Sequence, residues 1–172
     1  MAEKLLPSGS RFAVDADSLT HLALKKGIPK AQVENTSKLV QVAVNQMATL
    51  NKVGADLGKL SAVKAMTDVT GFGLLGHLVE MCEGSNLSAE ISYEKVPKMP
   101  EANDYLYPFC APKGCNTNWG SYGEKVSAIN DTQRILLADP QTSGGLLVAC
   151  APEAVPQVLA LSGSWTARGL GR

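Results

Sequence analysis

One segment constrains this chain more than any other. Thr67-Asp68-Val69-Thr70 runs directly into Gly71-Phe72-Gly73, with an apolar, β-branched stretch before it (Ala62 to Val69) and an apolar helical stretch after it (Leu74 to Glu83), which Gly84 is placed to stop. This reads as strand, glycine turn and helix, a local unit with few alternatives. Gly71 to Gly76 also satisfies G-x-G-x-x-G, and Glu90 and Glu94 follow at roughly the 20-residue spacing of a dinucleotide-binding turn. The charge argues against that assignment. Asp68 lies close ahead of the first glycine, near where a pyrophosphate would rest, and two unit charges about 4 Å apart repel by roughly 4 kcal/mol at an effective dielectric of about 20. Nor does the rest of the chain supply the run of β-α units that a doubly wound sheet needs.

The same carboxylate suits a divalent cation lying between it and a phosphate. Magnesium takes hard oxygen ligands, keeps several waters, and commonly binds through one or two protein carboxylates plus substrate phosphates. In that reading Asp68 is the metal ligand, the N–H groups of Gly71 and Gly73 at the helix start favour anionic oxygens, and Thr67 and Thr70 orient the carboxylate or a water. The plainer reading makes Asp68 a cap for the following helix and the glycines a means of close strand-to-helix packing. The residues alone leave both open.

Along the rest of the chain, helical and strand patterns interleave, which predicts an α+β fold with a mixed β-sheet flanked by helices. Asp17 to Lys26 is a modest helical candidate within a segment, 1–30, broken by Pro7, Gly9, Gly27 and Pro29. Val33, Val40, Val44 and Met47, widened by Ala43 and Leu50, predict a helix over Ala31 to Val53 with Gly54 as its stop. Leu87, Ala89, Ile91 and Tyr93 alternate with polar residues, the signature of a half-buried strand. Glu101 to Phe109 reads as a short helix, and Ala111 to Glu124, rich in Gly, Asn, Pro and Ser, as a long loop in which Asn118 and Trp119 line or gate a cleft or simply shape the surface. Asn130 or Asp131 caps a helix to Leu137; Asp139 to Gly145 is a turn and Leu146 to Cys150 a strand. Pro152 and Pro156 blur the start of the next helix, and Ser162 to Arg172 shows neither periodicity.

With 172 residues, 45% of them hydrophobic, the chain has enough material for a core. Sixteen basic residues balance sixteen acidic ones, so no bulk charge draws it to nucleic acid or an anionic membrane. Apolar runs break well short of the roughly 18 residues of a spanning helix, and Met1 to Pro7 holds no secretory core, so a cytoplasmic location is expected. Cys82, Cys110, Cys115 and Cys150 form no C-x-x-C pair, which disfavours structural zinc. Cys82 and Cys150 sit in apolar runs and read as small core residues, while Cys110 and Cys115 read as plain thiols rather than a disulfide. His77 reads as a packing residue of the helix after the turn.

Ala65-Met66-Thr67-Asp68-Val69-Thr70-Gly71-Phe72-Gly73-Leu74-Leu75-Gly76-His77-Leu78, taken with Asp139-Pro140-Gln141-Thr142-Ser143-Gly144-Gly145-Leu146-Leu147, resembles the C-terminal domain of the selenophosphate synthetase (selenide, water dikinase) family. The looser T-D-V-T-G-F-G core is similar to aminoimidazole ribonucleotide synthetase and its relatives. The resemblance implies an aminoimidazole ribonucleotide synthetase-like C-terminal domain over 31–161, with 1–30 poorly defined and 162–172 a frayed tail. It also implies an ATP-dependent phosphotransferase that converts selenide, ATP and water to selenophosphate, phosphate and AMP with Mg²⁺. Asp68 matches the metal-binding aspartate of this domain, with Thr67, Thr70, Gly71 and Gly73 beside the phosphates and no catalytic residue in this chain. The implied N-terminal catalytic domain, with its Gly-rich segment and catalytic Cys or selenocysteine and Lys, has no counterpart in 1–30, so the chain by itself is expected to be inactive; the full-length enzyme is expected to be a homodimer. Two other classes stay in view: a noncatalytic nucleotide-binding or interaction module, and an NAD-dependent oxidoreductase.

Overall fold

The computed structural model describes the backbone of residues 2–5, 11–14, 40–99 and 111–166, and the side chains of 40–99 and 111–162. The helices expected over Asp17 to Lys26 and Glu101 to Phe109 lie outside these. The chain divides into two units, Met1–Thr49 and Leu50–Arg172.

In the first unit β1 (Ala2–Leu5) pairs antiparallel with β2 (Arg11–Val14). A helix, α1, occupies residues 40–48. It stops at Ala48 rather than at the expected Val53, for a local reason. The Thr49 hydroxyl takes the carbonyl of Asn45 (2.8 Å), which a continuing helix would offer to the Thr49 N–H, and that N–H turns to Gln46 O instead (3.1 Å). The stripe read as a buried face is partly open: Val40 and Met47 are exposed, and Leu50 falls beyond the helix.

The second unit begins with a short helix α2 (Gly54–Leu57), whose Leu57 is fully buried. β3 (Val63–Asp68) pairs antiparallel with β4 (Leu146–Cys150) in the register Asp68↔Leu146, Thr67↔Leu147, Met66↔Val148, broken by an irregularity between Val63 and Ala65. The α+β class stands. The expected mixed sheet is, among the described residues, two separate antiparallel pairs. Helix α3 (Gly73–Ser85) follows β3 through the glycine turn. It runs through Gly84 and ends on Asn86, which takes a left-handed φ of 53° while Leu87 N–H donates to Cys82 O at 2.9 Å.

Two expectations fail here. Leu87 to Tyr93 is not a strand: 87–92 is unpaired chain leading into a 3₁₀ turn, Tyr93–Lys95, and Leu87 is exposed. Of the alternating residues only Ile91 and Tyr93 are half-buried while Leu87 and Ala89 are exposed, and an alternating run needs a neighbouring strand to become a sheet. The supposed long loop is helix α4 (Lys113–Tyr122) followed by a 3₁₀ turn, Gly123–Lys125. Cys115, Asn118 and Tyr122 recur at helical spacing and are all buried, a stripe hidden by loop-like composition.

Helix α5 (Asp131–Leu137) starts with a reciprocal cap, Gln133 N–H to Asn130 Oδ1 (2.9 Å) and Asn130 N–H to Gln133 Oε1 (3.2 Å). After β4, a 3₁₀ turn (Pro152–Ala154) leads into α6 (Val155–Thr166), so helix continues past Leu161, where the periodicity stops. The core centres on Leu75, Tyr122, Leu137 and Ala138, contributed by α3, α4 and the end of α5.

Candidate functional site

The antiparallel register brings the two glycine-containing motifs together. Past the end of β3, Val69 N–H donates to Gly145 O and Gly144 N–H donates back to Val69 O, both at 2.9 Å. The next residue continues the pairing, with Gln141 N–H to Thr70 O at 3.0 Å. Asp68 therefore stands at the end of a strand whose backbone the Asp139 to Gly145 turn holds in place.

The carboxylate of Asp68 is exposed. The hydroxyls expected to orient it are engaged elsewhere. Thr67 Oγ1 donates to the backbone carbonyl of Asp68 (3.3 Å), and Thr70 Oγ1 lies 3.3 Å from His77 Nε2. Nor does Asp68 cap α3, because the helix starts from Phe72 with no side-chain cap. Gly71 is open to solvent with nothing within 4 Å of a would-be Cβ. The N–H of Gly73, expected to face an anion, is spent within the turn on Thr70 O at 3.0 Å. The glycine at 73 answers a different demand: its φ is +70°, and a Cβ there would lie 2.8 Å from the carbonyl carbon of Ala138.

The turn is clamped from three sides. His77, buried in α3, accepts from the Thr70 N–H through Nε2 (3.1 Å), and its Nδ1 lies 3.3 Å from Glu80 Oε2. With Nε2 accepting from the turn and Nδ1 facing Glu80, the imidazole is a bracket between turn and helix. Asn118 Nδ2 donates to Gly71 O (2.8 Å) and Ala138 O (3.0 Å), and Tyr122 Oη donates to Phe72 O (2.8 Å). Burial pushes the Tyr122 phenol up to about 12, which keeps it a donor.

Asp139, the other carboxylate of the paired motifs, is turned to internal use. It accepts from Gln141 Nε2 at Oδ2 (2.7 Å) and from the Cys115 thiol at Oδ1 (3.4 Å). Burial raises its pKa, against the lowering effect of those two bonds. Burial, reinforced by the Asp139 carboxylate, pushes the Cys115 thiol up to about 12, the reverse of an activated cysteine. Cys115 is thus the buried member among the described cysteines, whereas Cys82 and Cys150, read as core, are half-buried.

Among the described residues no group of three His, Cys, Asp or Glu is placed to hold a metal, so Asp68 contributes a single carboxylate. A cleft of about 640 Å³ lies between α3, residues 86–93 and residues 125–133, lined by Leu78, Val79, Ile91 and Val126 among others; Asp68, Thr70 and the glycine turn are not part of it. The antiparallel β3–β4 pairing also separates the G-x-G-x-x-G string from the parallel βαβ unit in which such a string binds a dinucleotide. Among the described residues no helix is long and apolar enough to cross a membrane.

The family described as AIR synthase related protein, C-terminal domain, matches residues 10–172. The chain is 56% identical over 121 residues to the selenide, water dikinase of Pseudomonas putida, a match covering 70% of this chain and 35% of that protein. The enzyme of the same name from Pseudomonas aeruginosa is 54% identical over 123 residues, covering 72% of this chain and 36% of its own. That of Shewanella sp. MR-7 is 51% identical over 121 residues, covering 70% and 34%. The chain thus spans about a third of the length of these relatives.

Proposed function

We propose, from the premise that this chain belongs to the AIR synthase related protein C-terminal domain family, that it is the C-terminal portion of a selenide, water dikinase, converting selenide, ATP and water to selenophosphate, phosphate and AMP. The observation that carries this reading is Asp68, an exposed carboxylate that no described side chain engages, at the end of a strand locked by the second motif and beside the uncapped start of α3. Asp68 would hold Mg²⁺ together with phosphate oxygens and waters, and the cation would neutralise charge on the transferring phosphoryl group. The first-turn N–H groups of α3 beyond that of Gly73, with the open backbone at Gly71, would face the anionic side, with Thr67 and Thr70 shaping the turn rather than touching the metal.

In this reading ATP and selenide meet the domain at a surface completed by the N-terminal part of the same enzyme, which supplies the catalytic groups; the whole enzyme is a cytoplasmic homodimer. The test is a chimera: the Pseudomonas putida relative with its matching segment replaced by that of this chain, assayed for selenide-dependent AMP formation. The chimera is expected to be active and its Asp68→Asn form slower by about a hundredfold or more, the several kcal/mol a metal supplies to phosphoryl transfer. Equal rates for the two would overturn the assignment of Asp68, and an inactive, folded chimera would overturn the enzyme reading.

A further inference from the structure

We infer that Asn118 is a positioning residue for the Asp68 site, an inference that rests on the phosphotransferase reading above. The site has two halves held by different means. Asp68 belongs to β3, whose place is set by pairing with β4; the start of α3 belongs to the glycine turn, and that turn is held by hydrogen bonds to its carbonyls and, through His77, to the Thr70 N–H. Of those bonds, the one from Asn118 reaches two segments at once: Nδ2 spans Gly71 O at 2.8 Å and Ala138 O at 3.0 Å, joining the glycine turn to the head of the Asp139 to Gly145 turn from 47 and 20 positions away. Both neighbours are acceptors, so the amide nitrogen and not the oxygen must face them.

The chemistry required is narrow. Asn118 is 7% exposed, so water does not replace it. Two carbonyls need two N–H donors on one short side chain, which a primary amide supplies; a hydroxyl brings one donor, and a carboxylate of the same shape brings none and sets negative charge against both oxygens. Without Asn118 the turn keeps its bonds to His77, Tyr122 and Gln141 but loses its tie to Ala138, so the distance between the carboxylate and the start of α3 is less tightly set, and sub-ångström placement is what phosphoryl transfer depends on.

Asn118→Asp, Asn118→Ala and Asn118→Gln decide it, first in the full 172-residue chain by amide hydrogen exchange. Asn118→Asp and Asn118→Ala are expected to speed exchange across Thr70 to Gly76 by about tenfold or more while Ala65 and Thr67 in β3, whose N–H groups face β4, stay within about twofold. Unchanged turn amides, or equal acceleration of turn and strand, would overturn the inference. Should neither variant fold, the wild type decides: the side-chain amide protons of Asn118 must exchange about tenfold slower than those of exposed Asn116, and equal rates would overturn the clamp. In the chimera, Asn118→Ala is expected to lower kcat by about tenfold or more with KM for ATP changed less than about threefold, and Asn118→Gln to recover part of kcat. A kcat within twofold of the parent would overturn the positioning role. An inactive parent chimera would instead count against the phosphotransferase reading, leaving the exchange measurements to decide the clamp.

Discussion

Gly73 and Ala138 meet backbone to backbone: a Cβ on Gly73 would sit 2.8 Å from the Ala138 carbonyl carbon and 3.0 Å from its oxygen. Gly73→Ala would have to relieve that contact and a φ of +70° together, and neither obstacle is the movable end of a side chain. The substitution is expected to destabilise the second unit by about 1–3 kcal/mol or more. Gly71→Ala, two residues earlier in open space, is expected to leave stability nearly unchanged. Urea unfolding of the two variants side by side checks the contrast.

The carboxyl of Asp139 gives the fold a pH dependence whose sign follows from its raised pKa. Burial makes the native state hold the Asp139 proton to a higher pH than the unfolded chain does, so over the window between the two pKa values folding takes up a proton. This group's contribution is most favourable below the usual aspartate range and is lost as pH rises through the native value. Asp139→Asn removes the term, so the stability of the variant relative to wild type is expected to rise with pH from about pH 4 upward and then level off. Denaturant midpoints of both proteins across that range measure it; a difference that stays flat would mean that Asp139 titrates alike in both states.

Cys115 should behave as a structural thiol. With its pKa pushed up to about 12 and its side chain buried, the thiolate population at pH 8 is negligible. Under native conditions iodoacetamide is expected to modify half-buried Cys82 and Cys150 before Cys115, read by peptide mass spectrometry. Asp139→Asn, which takes away the neighbouring negative charge, is expected to shorten the lag.

Asn130→Ala removes one half of the cap on α5 and orphans the Gln133 N–H. A loss of about 1 kcal/mol is expected, and Asn130→Asp should retain most of it, because both side chains accept from the same N–H. Thermal unfolding of the two variants compares them directly.

What was legible in the sequence was what is local. The β3–turn–α3 unit is written within one short stretch in which strand, glycines and helix follow one another, and Asn130 with Gln133 spells its own cap. Asp68 stood out because its charge contradicts a bare phosphate site. The partners of the turn were not legible, because they come from far along the chain: Asn118 and Tyr122 reach back 47 and 50 positions. They were further hidden by composition, since Gly114, Asn116, Gly120 and Ser121 make α4 look like a loop while Cys115, Asn118 and Tyr122 hold the buried spacing beneath. Leu87 to Tyr93 misled in the opposite sense: its alternation is genuine, but among the described residues no strand lies beside it.

The pairing of β3 with β4 also dictates when Asp68 acquires its fixed place. These strands are not a hairpin; among the described residues three α-helices lie between them in the chain, so the ribbon closes only after distant ends have been brought together. During synthesis Asp68 emerges well before its partner strand and lacks that pairing until Leu146 to Cys150 has been made and has docked. A ribosome stalled short of that strand would release a chain carrying every residue of the glycine turn without the strand pairing that holds Asp68.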